Sequence, residues 1–273
     1  MSEVRTLVDI EYARVGSTRL LLDMYLPQGT AHLRPVLVWI HGGGWHQGDK
    51  GDITPGWGES WANEGYAAIS INYRLTDEAT FPAQIHDCKA AIRWLRAHAD
   101  DYDLDPKRIG VWGSSAGGHL AALLGTTGSV ASLEGNLGYA DQPSDVQAVC
   151  AWMAPTHLYS MAAACEQQDY WAPDSVLSAL LGGQLSEHED EARAASPATW
   201  VSGSEPPFLI AHGDADTVVP YQQALVLHDR LLHVGIDTAL YTFQGADHGR
   251  GPFFAHSELM DRVRAFFARH LVP

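Results

Sequence analysis

The pentapeptide Gly113-Ser114-Ser115-Ala116-Gly117 puts a serine at the centre of a G-x-S-x-G pattern. That pattern serves nucleophilic attack on an acyl carbon. A serine on a sharp, strained turn projects its hydroxyl, and side chains two positions to either side would collide, so glycine stands at both. The hydroxyl is a weak nucleophile until a base activates it, and the base in turn needs an acid to orient it. Two later turns offer those groups: His212-Gly213-Asp214-Ala215-Asp216 carries carboxylates, and Gly245-Ala246-Asp247-His248-Gly249 carries an imidazole. Spacing leaves Asp214 and Asp216 both eligible as the acid, whereas Asp247, directly before His248, is expected to point away from the imidazole or cap its turn. A further segment, His41-Gly42-Gly43-Gly44-Trp45, can bring backbone donors close to a substrate. The N–H groups of Gly43 and Gly44, with that of Ala116, are predicted to form an oxyanion hole. A phosphate cradle is disfavoured there, because the glycines lead into Trp45-His46-Gln47 and not into a Lys-Ser or Lys-Thr pair opening a helix.

These groups can meet only if their turns share one edge of a sheet. Each turn follows a run of strand length: the apolar stretches 35–40, 109–112 and 207–211 precede the glycine loop, the serine and the acid, and a strand-like 238–243 precedes the histidine. A continuous apolar run such as 35–40 suits a buried strand of a parallel sheet. The small-residue stretch 119–124 predicts a helix whose N-terminus, with its unpaired N–H groups, points at Ser115. Residues 82–99, with Ile85, Ala91, Ile92, Trp94 and Leu95 among polar positions, predict a helix lying on the sheet, and strand-like runs at 6–12 and 18–26 predict an antiparallel start. The alternation defines an α/β class with function on the loops after the strands. At 273 residues and 46% hydrophobic content, one domain over 1–273 is expected. The less regular stretches 128–145 and 156–200 are expected to be substrate-shaping insertions. Trp152, Tyr159, Tyr170 and Trp171 lie in or beside them, and an aromatic-lined cleft is predicted, with Trp45, Tyr73, Trp152 and Trp171 as its substrate contacts.

The order Ser115, aspartate, His248 is that of the α/β-hydrolases. The chain resembles that superfamily, and within it the BD-FAE group of carbohydrate esterases, described as acting on feruloyl and acetyl esters of plant cell walls. The likeness runs through His41 to Trp45, Asn72-Tyr73-Arg74-Leu75, Phe81-Pro82-Ala83-Gln84 with Asp87, the segment 109–120, Ser196-Pro197 and the segment 212–220. It implies an α/β-hydrolase fold with short cap insertions, a Ser-His-Asp acyl-enzyme mechanism, and Asp216 as the acid of a His-Gly-x-x-Asp-x-x-Val-Pro pattern. The implied substrate is a small-molecule or carbohydrate-linked ester. An aryl formamide is the alternative within enzymes, and a ligand-binding module on the same fold is the alternative outside them.

The formal charge of −16, from 17 Lys and Arg against 33 Asp and Glu, argues against nucleic acid as a partner and against polyanionic substrates. Metal-dependent hydrolysis through His212, Asp214, Asp216, Asp247 and His248 would leave the serine turn and the glycine loop unexplained, so no metal or organic cofactor is expected. Met1-Ser2-Glu3-Val4-Arg5 lacks the basic start and apolar core of a signal peptide, and no run of 18 apolar residues occurs. With Cys88, Cys150 and Cys165 at no metal spacing, a cytoplasmic, reducing location away from the membrane is expected.

Overall fold

A computed structural model describes residues 4–29, 32–128, 130–249, 253 and 255–272. In chain order the elements are β1 (Val4–Val15), β2 (Thr18–Pro27), β3 (Arg34–Ile40), α1 (Trp57–Asn63), β4 (Ala67–Ile71), α2 (Ala83–Ala97), β5 (Leu104–Ser114) and α3 (Ala116–Thr126). They continue as β6 (Ala148–Trp152), α4 (Leu158–Ala164), α5 (Val176–Leu181), α6 (Glu189–Ala194), β7 (Phe208–Gly213), α7 (Gln222–His233), β8 (Thr238–Phe243) and α8 (Ser257–Leu271). The strands form one eight-stranded sheet in the order β1-β2-β4-β3-β5-β6-β7-β8. The first two pairings, β1 with β2 and β2 with β4, are antiparallel, and all the others are parallel. Parallel neighbours put the ends of β3, β5, β7 and β8 on one edge, where the four motif turns begin.

The continuous apolar runs are explained by burial on both faces. Along β3, Val36, Val38 and Ile40 enter one core, packed with Ile85, Ile92, Leu95, Leu120 and Leu123 of α2 and α3. Leu37 and Trp39 enter the other, with Trp57 and Trp61 of α1 and Val263 and Phe267 of α8. Side chains alternate faces with period two, so a strand covered on both sides needs apolar residues at every position. The second core is built around indoles: Trp112 stands edge-on to Trp39 at 5.3 Å and to Trp152 at 4.8 Å between ring centroids. Among the described residues no helix is long and apolar enough to cross a membrane.

Candidate active site

Ser115 lies between β5 and α3 with φ 55° and ψ −123°, a conformation a non-glycine residue adopts only under constraint. The constraint is steric and hydrogen-bonded. A Cβ on Gly113 would come within 2.3 Å of Gly117 O, and one on Gly117 within 2.0 Å of Ile40 O, so strand and helix approach at backbone contact. The Ser115 N–H donates to Trp152 O at 2.9 Å, and Ser115 O accepts from His119 N at 2.9 Å. The turn that bends the serine out is thereby fixed from both sides.

The turn after β8 brings His248 to it. His248 Nε2 is 3.0 Å from Ser115 Oγ, and His248 Nδ1 is 2.7 Å from Asp216 Oδ2. A carboxylate only accepts, so Nδ1 carries the proton and Nε2 is left with the lone pair toward the serine hydroxyl. Asp216 is almost wholly buried and accepts on Oδ1 from the N–H groups of Val218 and Val219, at 2.9 and 2.8 Å. Burial would raise its carboxyl, but hydrogen bonds from His212 and His248 outweigh that and hold it well below the usual carboxylate range. The His212 contribution escaped the sequence reading. Its Nε2 lies 2.8 Å from Val219 O and 3.2 Å from Asp216 Oδ2, and its place four residues before Asp216 was the available signal.

The two competing carboxylates turn out to join the acid and histidine turns. Asp214 Oδ1 accepts from Gly245 N at 2.6 Å, and Asp247 Oδ1 accepts from Thr217 N and Thr217 Oγ1 at 2.9 and 2.7 Å. Of the two carboxylates that spacing leaves eligible, Asp216 is the one placed beside the imidazole. Among the described residues no group of three or more His, Cys, Asp or Glu side chains is arranged to hold a metal ion.

Opposite the serine, Gly43 and Gly44 have φ of 107° and 58° and line the cleft. Gly43 O accepts from His46 N and Gln47 N, and a Cβ on Gly43 would strike Gln47 O at 2.1 Å, so the tight turn requires glycine there. Ala116, first residue of α3, has no intrahelical acceptor for its N–H. Among the described residues none of these three amides has an acceptor, which leaves donors available to an oxyanion.

The predicted aromatic contacts are corrected. Trp45 is 2% exposed; its indole packs in the core and its Nε1–H donates to His119 Nδ1 at 3.1 Å. Tyr73 is buried too, stacked on His41 at 4.3 Å, with its hydroxyl donating to His41 O at 3.0 Å. Trp152 is wholly buried in the tryptophan core, and its backbone carbonyl, not its ring, reaches the site. Trp171 is 39% exposed and packs edge-on against Tyr159. The cleft, about 550 Å³, is walled by Gln168, Asp169, Tyr170, Asp174, Ser175 and Val176, which set polar side chains into a lining that is otherwise largely apolar. The stretch 128–145 does not reach it. That segment joins the end of α3 to the start of β6, at the sheet edge away from the strand ends that carry the motifs.

A mostly parallel sheet carrying a strained serine between strand and helix, with an aspartate-histidine pair from later turns of the same edge, defines an α/β-hydrolase. The chain belongs to the BD-FAE family, whose sequence model matches residues 22–231. It is 32% identical over 267 residues to the probable carboxylic ester hydrolase LipM of Mycobacterium tuberculosis, covering 94% of this chain and 57% of that protein. It is 32% identical over 222 residues to esterase LipC of the same organism, covering 79% and 53%. The chain therefore spans a little over half the length of these curated relatives. Among solved structures, a truncated carbohydrate esterase from gut microbiota superposes with a TM-score of 0.86 at 31% identity, covering 97% of this chain and 95% of that one. Esterase 2 of Thermogutta terrifontis, solved phosphorylated by paraoxon, superposes with a TM-score of 0.80 at 28% identity, covering 98% and 96%.

Proposed function

We propose that the chain is a serine carboxylic ester hydrolase with Ser115 as nucleophile, His248 as general base and acid, and Asp216 as its orienting carboxylate. The observation that carries this is the continuous bond path Asp216–His248–Ser115, at 2.7 and 3.0 Å, facing the Gly43 and Gly44 amides across the cleft. Ser115 Oγ adds to the ester carbonyl as its proton passes to His248 Nε2, and the carbonyl oxygen becomes an oxyanion held by the Gly43, Gly44 and Ala116 amides. Collapse breaks the bond to the alcohol, which leaves with the proton from His248. Water then adds to the acyl carbon as its proton passes to the same imidazole, and collapse breaks the bond to Ser115 Oγ, which takes that proton back as the acid leaves. No group beyond these side chains is needed to balance the protons.

The substrate proposed is a neutral ester of a short acyl or aryl acid with a polar alcohol, a sugar among them, whose hydroxyls meet Gln168, Asp169, Asp174 and Ser175 on the cleft wall. That wall, with Asp169 and Asp174 on it, and the net charge of −16 support uncharged over polyanionic substrates. Similarity to a carbohydrate esterase supports the same class. Three free thiols, Cys88, Cys150 and Cys165, support a reducing, cytoplasmic setting.

The test is a panel of acetyl, butyryl and feruloyl esters, acetylated xylan and an aryl formamide, run beside Ser115→Ala. Ester turnover is expected to fall at least about 10⁴-fold in the variant. An organophosphate such as paraoxon is expected to modify Ser115 stoichiometrically. Retained turnover in Ser115→Ala, or tight binding of esters without turnover by the wild type, would overturn the proposal.

A further inference from the structure

Gly43, Gly44 and Trp45 all have positive φ, at 107°, 58° and 61°. Glycine accepts that conformation readily, but a tryptophan does so only where its surroundings over-determine it. Trp45 O accepts from Thr76 N at 2.9 Å, and the indole is buried with its Nε1–H on His119 Nδ1 at 3.1 Å, the rings edge-to-face at 5.1 Å. His119 is wholly buried, and its Nε2 lies 2.6 Å from Ala195 O, at the end of α6. A carbonyl only accepts and an indole N–H only donates, so both partners demand the same neutral tautomer, with the proton on Nε2 and the lone pair on Nδ1. Burial keeps the ring neutral, pushing its pKa down to about 4. A charged imidazole would set two donors against each other at Trp45.

From this geometry we infer that His119 is a positioning residue for ester hydrolysis: through Trp45 it holds the Gly43–Gly44 amides in register with Ser115, and through Ala195 it ties that loop to the 156–200 stretch. The inference rests on the hydrolase reading above. His119 stands four residues after Ser115 on the helix that begins at the nucleophile, so one rigid element carries both the serine and the strut of the oxyanion loop. It does not touch substrate; its effect is expressed in how well the loop donors meet developing negative charge, and hence in kcat.

The test uses Trp45→Phe, His119→Gln, His119→Asn and the Trp45→Phe/His119→Gln double variant, with kcat normalised to active sites titrated by an organophosphonate. Asn can present an acceptor where Nδ1 stands, whereas Gln can reach only the Nε2 position toward Ala195. Trp45→Phe and His119→Gln are each expected to lower kcat about tenfold or more with KM within about twofold, and to weaken a boronic acid transition-state analogue in parallel. The double variant is expected to lose no more than the worse single variant, and His119→Asn to recover most of the loss. The acid limb of the kcat/KM profile, set by groups these variants leave alone, is expected to stay in place. Wild-type kcat in Trp45→Phe and His119→Gln, a loss confined to KM, or fully additive losses would overturn the inference. Absence of ester turnover in the wild type would instead overturn the hydrolase reading itself.

Discussion

The two irregular stretches, 128–145 and 156–200, look alike in sequence but meet different edges of the sheet. The first connects the end of α3 to the start of β6, and it is held by one face of α2. Lys89, Arg93 and Arg96, at helical spacing, hold it: Arg93 donates to Glu134 O and Leu137 O at 2.9 and 2.7 Å, Arg96 to Pro143 O and Asp145 O at 2.7 and 2.6 Å, and Lys89 pairs with the Glu134 carboxylate. The second follows the end of β6, so it begins at the same edge as the serine. It is seated by the buried Gln223, whose Oε1 accepts from Thr156 N and His157 N, and its Tyr170 hydroxyl donates to Val218 O at 2.7 Å. Strand direction, not composition, makes one insertion a structural clasp and the other a wall of the cleft.

If that division is right, substitutions at the two edges should separate into losses of rate and losses of stability. The largest expected effect is at the strand ends. Asp216→Asn is expected to cut kcat by about 10⁴-fold through the wrong imidazole tautomer. Asp214→Asn, which touches only the loop stitch to Gly245, should cost less than about tenfold. Steady-state kinetics on one acetyl ester decide it, and equal losses would return the ambiguity between the two carboxylates.

A smaller effect is expected at the other edge. Glu134→Gln leaves the buried Lys89 ammonium without its counter-ion, while Thr127 O still accepts from it at 2.6 Å. Because Glu134 is partly exposed, the expected loss is about 3 kcal/mol, the low end for a broken buried pair. Urea unfolding measures it, and kcat and KM should stay within about twofold. A large fall in kcat with unchanged stability would mean that the clasp communicates with the cleft.

The third expectation concerns acid. His119 titrates at about 4 when folded against an ordinary 6.5, so between those values the unfolded chain binds the extra proton. The stability it confers is complete above 6.5 and is lost as pH falls toward 4, by at most about 3 kcal/mol. The difference in unfolding free energy between wild type and His119→Gln should shrink by that order across the window. A difference independent of pH would show that the imidazole is not held neutral.

Much of this was legible beforehand because it is chemically narrow. The apolar runs before Ser115 and His212 suit buried strands, and β5 and β7 bury them, whereas the run before His248 forms β8, the partly exposed edge strand of the sheet. The G-x-S-x-G turn, the His-Gly-Gly-Gly loop and the Ser-Asp-His order admit few residues, since backbone contact and hydrogen-bond type restrict each position. The aromatics were not legible. Trp152 falls on the same face as Trp39 and Trp112 because β6 pairs Cys150 with Trp112 and side chains alternate by two, and that register is set by neighbouring strands. Trp45 follows Gly43 and Gly44 in the chain, yet from its positive-φ backbone the ring runs inward to His119.

The sequence by itself determined which groups can do chemistry and that each sits just after a strand, because local backbone geometry and side-chain chemistry are encoded within a few residues. Only the tertiary structure decided which carboxylate reaches His248, which insertion borders the cleft, and that Trp45 and Trp152 serve the core. Those outcomes depend on strand order, direction and register, which arise from contacts between residues far apart in the chain.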